Sequence, residues 1–71
     1  MKENYIITGL FESGEKIRIC FETLSEAAFV YGLLKAADDE RSNLTLWRFE
    51  DAAILDHRYG LSADDCRRLG I

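Results

Sequence analysis

Residues 23–40 of the 71-residue chain read TLSEAAFVYGLLKAADDE. Ala27, Val30, Tyr31, Leu34 and Ala37 recur there at spacings of three and four, which sets them on one face of an α-helix. Thr23 with Glu26 three residues on reads as a capping box, and Ser25 is a competing N-cap. Phe29 and Leu33 widen the apolar face to roughly half the circumference, more than a lone surface helix needs. Such a helix must be covered by a sheet or a partner. Its end is acidic: Asp38, Asp39 and Glu40 stand where the macrodipole prefers cations, and Arg41 offsets them only in part, so the last turn should fray.

Two strands are expected before the helix, at residues 5–11 and 16–22. In the second, Ile17, Ile19 and Phe21 alternate with Lys16, Arg18, Cys20 and Glu22, the period of a half-buried strand. In the first, Tyr5, Ile7 and Phe11 share one face and Ile6, Thr8 and Leu10 the other, so both faces should be partly covered. Glu12-Ser13-Gly14-Glu15 supplies the loop of a β-hairpin, with glycine where φ is positive. After the helix, residues 44–49, LTLWRF, are rich in strand formers. Leu44 and Leu46 point one way, Thr45, Trp47 and Phe49 the other. The order ββαβ makes a small antiparallel sheet with one main helix packed on it, an α+β fold in a single domain spanning residues 1–71. One sheet face then lies open. Trp47 and Phe49, or Tyr5 and Phe11, must lie there unless the C-terminal segment or another chain covers them, which points to a protein partner or a homodimer.

The size sits near the lower limit at which a hydrophobic core holds without metals, disulfides or a partner. A hydrophobic content of 48%, with five glycines and no proline, marks a folded chain. The net charge of −4 disfavours direct nucleic-acid binding, which needs a basic surface, and fits a protein partner with a basic surface better. The uncharged run of residues 27–34 is too short to cross a bilayer, and MKENYIITGL has neither an apolar h-region nor a small-residue cleavage site. A cytoplasmic location is therefore expected, with Cys20 and Cys66 as reduced, small buried hydrophobes.

The C-terminal segment admits two readings. In the first, Asp51 caps a short helix over residues 52–59, Gly60 ends it in a left-handed conformation with Leu61 as the hydrophobic contact, and Ser62 caps a second helix over 63–69. The same termination signal recurs at Gly70-Ile71. In the second, residues 50–52 turn the chain and 53–59 form a fourth strand, since Ile54 and Leu55 serve either pattern. On the first reading residues 54–69 resemble a helix-turn-helix motif, with Leu55, Tyr59, Gly60, Leu61, Cys66 and Leu69 at its apolar and turn positions. That resemblance implies a DNA-binding or regulatory protein using Arg58, Arg67 and Arg68. Asp56 departs from it where tight packing wants a small apolar residue, and Asp64 and Asp65 open the would-be recognition helix where base and phosphate contacts call for other side chains.

Catalytic patterns are missing from the sequence. His57, the sole histidine, is flanked by Asp56 and Arg58, and neighbours on a helix do not face each other. Two cysteines and one histidine at these spacings match no usual zinc pattern. There is no glycine-rich phosphate loop and no nucleophile elbow. The expectation is a non-enzyme without cofactor or metal.

Acidic residues gather at 38–40, 50–51 and 64–65. Converging on one surface, they would imitate nucleic-acid phosphates and fill a basic groove of another protein. In size, charge and ββαβ order the chain resembles the small acidic proteins encoded by phages and mobile elements, anti-CRISPR proteins among them. That resemblance implies an inhibitor occupying a nucleic-acid-binding surface or blocking assembly of a host complex. Asp38, Asp39, Glu40, Glu50 and Asp51 would then meet basic side chains, with Trp47 beside them on the open face. The alternatives are the DNA-binding reading and a structural homodimeric accessory subunit.

Overall fold

The computed structural model describes residues 3–37 and 41–70. Among them, β1 (Tyr5–Phe11), β2 (Lys16–Phe21), α1 (Leu24–Ala37), β3 (Ser42–Arg48), β4 (Ala53–Tyr59) and α2 (Ala63–Arg68) follow in that order. The four strands form one antiparallel sheet in the order β2-β1-β3-β4, with α1 packed on one side: an α+β fold.

The local signals at the first hairpin and at the start of α1 act as the sequence predicts. Gly14 takes a φ of 92° in the β1–β2 turn, which is closed by hydrogen bonds from Gly14 N–H to the Phe11 carbonyl and from Phe11 N–H to the Glu15 carbonyl. Thr23 caps α1: its hydroxyl accepts from the Glu26 N–H at 3.3 Å and donates to the Glu26 carboxylate at 2.8 Å. The expected fraying at Asp38, Asp39 and Glu40 lies outside the described residues.

Register sorts the side chains onto two sides, because residues paired across antiparallel strands point the same way. Ile7 pairs with Ile19 and with Leu46, and Gly9 pairs with Ile17 and Leu44. This side meets Ala27 and Tyr31 of α1, and Ile7, Ala27 and Leu44 are fully buried. Tyr5 and Phe11 pack against the same core, so it is Trp47 that takes the open face. A Cβ at Gly9 would stand 2.8 Å from a Leu44 methyl and 3.0 Å from Ile17, so any larger residue there would have to push these core side chains aside.

Residues 53–59 are a strand, and the helical pair and helix-turn-helix readings fall with that finding. The Asp51 carboxylate does accept a backbone N–H two residues on, from Ala53 at 3.2 Å, but it closes a hairpin turn instead of opening a helix. Ala52 in that turn has a φ of 54°, which no helix accommodates. Pairing with β3 gives the exposed edge of that strand its hydrogen-bond partners, a long-range gain that a local helix would forfeit. Gly60 is not in the left-handed region either; its N–H continues the pairing by donating to the Ser42 carbonyl at 2.8 Å.

The second helix stands. Ser62 caps α2 with a reciprocal bond to Asp65, and Gly70 follows it at a φ of 87°. The segment leading into α2 crosses the end of the open face: the Asn43 side chain accepts from Leu61 N–H and donates to Cys66 Sγ. Leu61 is buried there.

Candidate functional site

The long helix leaves its outer side bare. Phe29 is 69% exposed and Leu33 55%, and Gly32 and Ala36 beside them are exposed as well. These four stand at spacings of three, four and seven, so they form one stripe along the helix. Between Glu26 and Lys35 α1 carries no charge. The stripe was foreshadowed by the excess width of the apolar face in the sequence, and the sheet covers only the half of it that carries Ala27 and Tyr31.

Of the described carboxylates singled out in the sequence, Asp51, Asp64 and Asp65 are each paired with an arginine three residues away. Asp51 is held by the Arg48 guanidinium in two hydrogen bonds, of 2.7 and 3.0 Å. That pairing lowers its pKa to about 2. Asp64 pairs with Arg67 and Asp65 with Arg68, each three residues on along α2. Arg68 and the Ser62 cap together hold the Asp65 carboxyl below its ordinary range. Glu50 is exposed beside Asp51 in the β3–β4 turn. Asp38, Asp39 and Glu40 fall outside the described residues.

The three arginines of the DNA-binding alternative are not gathered for it. Arg58 lies on the helix side of β4, where its guanidinium donates to the Lys35 carbonyl at 3.0 Å and to the Ser42 hydroxyl at 2.6 Å. It therefore adds, from a distant strand, a second cation to Lys35 in the last turn of α1. Nearby, Lys35 lies 3.8 Å from Asp56 and 5.3 Å from the centre of the Tyr31 ring. Burial raises the Tyr31 hydroxyl above its usual pKa, and that hydroxyl donates to the Leu44 carbonyl. Arg67 and Arg68 are committed to α2's own carboxylates.

The open face has three rows across the strands. Lys16, Leu10, Asn43 and Tyr59 make one; Arg18, Thr8, Thr45 and His57 the next; Cys20, Ile6, Trp47 and Ile54 the last. Trp47 is half-buried, its indole N–H donating to the Thr8 hydroxyl at 2.8 Å. His57 and Tyr59 bring their ring centres within 4.8 Å of each other. The alternation in KIRICF, which marks a strand, is also the signal that sets Lys16 and Arg18 together on one face. Both cysteines are free and half-buried: Cys20 accepts from Arg18, Cys66 from Asn43.

Among the described residues no group of three or more His, Cys, Asp and Glu side chains is placed to hold a metal, and no helix is long and apolar enough to cross a membrane. No family model matches the chain, and no curated protein or solved structure matches it.

Proposed function

We propose that the protein is a non-enzymatic interaction module, a small inhibitor that seats the outer side of α1 in an apolar groove of a partner protein with a basic rim. The observation that carries this reading is the bare stripe of Phe29, Gly32, Leu33 and Ala36. Anchors at these spacings are those of a helix lying in a groove. In the sequence the stripe runs on into Asp38, Asp39 and Glu40, so a groove fitted to it has cations at that end. This shifts the weight from the carboxylates at 50–51 and 64–65, which are largely neutralised by their own arginines, to the helix. It accords with the inhibitor action that the resemblance to anti-CRISPR proteins implies, the occupation of a host complex by a small acidic protein.

A homodimer through the same stripe is favoured by one feature. Gly32 leaves a notch in the helix surface, where a Cβ would meet nothing within 4 Å beyond its chain neighbours and the helix's own backbone. An antiparallel second copy would set the ring of Phe29 into it.

The test is affinity capture from host cells with nuclease present, comparing the unaltered chain with Phe29→Ser/Leu33→Ser and with Asp38→Lys/Asp39→Lys/Glu40→Lys. Truncating a central anchor removes about 2 kcal/mol of binding, roughly thirtyfold. Loss of the same nuclease-resistant partner in both variants is expected. A partner retained by the serine variant overturns the proposal, and a captured chain containing only itself, with a mass that doubles with concentration, selects the homodimer.

A further inference from the structure

We infer that the open face of the sheet is a binding face for single-stranded nucleic acid, with Lys16 and Arg18 as phosphate contacts and Trp47, His57 and Tyr59 as platforms for bases. The inference is independent of the helix stripe, which lies on the other side of the molecule.

Charge is the first ground. The twelve strand positions that form the three rows of this face include Lys16 and Arg18 and not one Asp or Glu. The protein is acidic as a whole, yet alternation and register place the strand's acid, Asp56, on the helix side, together with Arg48 and Arg58. The net charge that argues against nucleic acid in the sequence is thus not the charge this face presents. Arg18 has one carboxylate beside it, that of Glu3 at 3.9 Å, in an exposed pair that contributes little. Lys16 has no ion pair among the described residues.

Shape is the second. Two shallow depressions adjoin on this face and share Thr8. One, of about 280 Å³, has Trp47 and Arg18 in its wall; the other, of about 350 Å³, has Lys16 and Asn43. The two cations stand two residues apart on one strand, about 7 Å, each beside its own depression. The hydrogen bond to Thr8 fixes the Trp47 ring, and Tyr59, 62% exposed, leans on His57 at the opposite edge of the sheet. Flat rings on a sheet, bordered by cations that follow a backbone, are what unpaired bases stack upon. A protein partner finds less here, because the aliphatic residues of the central strand, Ile6 and Leu10, are already buried.

With two phosphate contacts the binding is weak and salt-dependent, with a slope of log affinity against log salt near −1.4 (about −0.7 per contact). The experiment titrates the full chain at low salt with an oligothymidylate, following the emission of Trp47, the sole tryptophan, and in parallel the anisotropy of the labelled oligonucleotide. Quenching of Trp47 with a dissociation constant tighter than about 10⁻⁴ M is expected. Lys16→Ala/Arg18→Ala, at exposed positions, should abolish the salt slope and weaken binding at least tenfold. Tyr59→Ala should weaken it roughly fivefold or more while leaving the slope in place. Inorganic polyphosphate is the control. Polyphosphate binding as tightly as the oligonucleotide, binding that survives the loss of both cations, sensitivity to Phe29→Ser/Leu33→Ser instead, or no quenching at low salt would each overturn the inference.

Discussion

Beneath α1 the sheet presents Ile7, Leu44 and Leu46 to Ala27 and Tyr31, and this side is dry. On its other side the immediate neighbours of those residues, Ile6, Thr45 and Trp47, share a surface with Lys16, Arg18 and Tyr59. The same strands build both, one residue out of phase. On the dry side Ser42 is buried against the Arg58 guanidinium, and Tyr31 donates to a β3 carbonyl. The open side leaves its cations and rings to solvent. The core cluster thus lies on the helix side of the sheet, while the exposed cations and the rings of His57 and Tyr59 lie on the other. Such a division suits a small domain in which a single layer of core carries the fold.

That contrast can be broken by substitution. Ile7→Ala should cost about 2–5 kcal/mol in a urea unfolding series, a large share of the stability of so small a domain. Ile54→Ala, on the open side and 48% exposed, should cost less than about 1 kcal/mol. Equal losses would show that the open side is core as well. A smaller difference separates two adjacent residues of β4. Arg58→Met removes the bonds to the Lys35 carbonyl and to the buried Ser42 hydroxyl and should cost about 1–3 kcal/mol. His57→Ala, pointing the other way, should stay within about 0.5 kcal/mol, and a reversal of that order would put the wrong face of β4 against α1.

The smallest effect is at the turn that joins β3 to β4. Because the Arg48 guanidinium depresses the Asp51 carboxyl to about 2 from an ordinary 3.8, its contribution is complete above the ordinary value and is lost as pH falls toward the lower one. Thermal unfolding followed between about pH 6 and pH 2 should show a shallower acid decline for Asp51→Asn than for the unaltered chain. Identical declines would mean that the pair does not persist in solution, as exposed pairs often do not.

Much of this fold is legible in the chain. The Gly14 hairpin, the Thr23 cap and the Ser62 cap each depend on residues within four positions of one another, so sequence neighbours carry the whole signal. Residues 53–59 were ambiguous for the converse reason. Asp51, Ala52 and Ala53 serve an N-cap and an Asx turn equally well, and only the free edge of β3, residues away, decides between them. The candidate surfaces divide in the same way. The surplus apolar width of the helix at Phe29 and Leu33 is present in its periodicity. The self-neutralisation of Asp51, and the withdrawal of Arg58 to the end of α1, are not.

By itself the sequence determined where the helix and the first three strands lie and which residues of each share a face, because both follow from local periodicity and capping. Which face meets α1, which carboxylates find an arginine, and that Lys16 and Arg18 share a face whose paired strand positions carry no Asp or Glu were decided only by the tertiary structure. Strand order and register bring together side chains far apart in the chain, and charge acts through space.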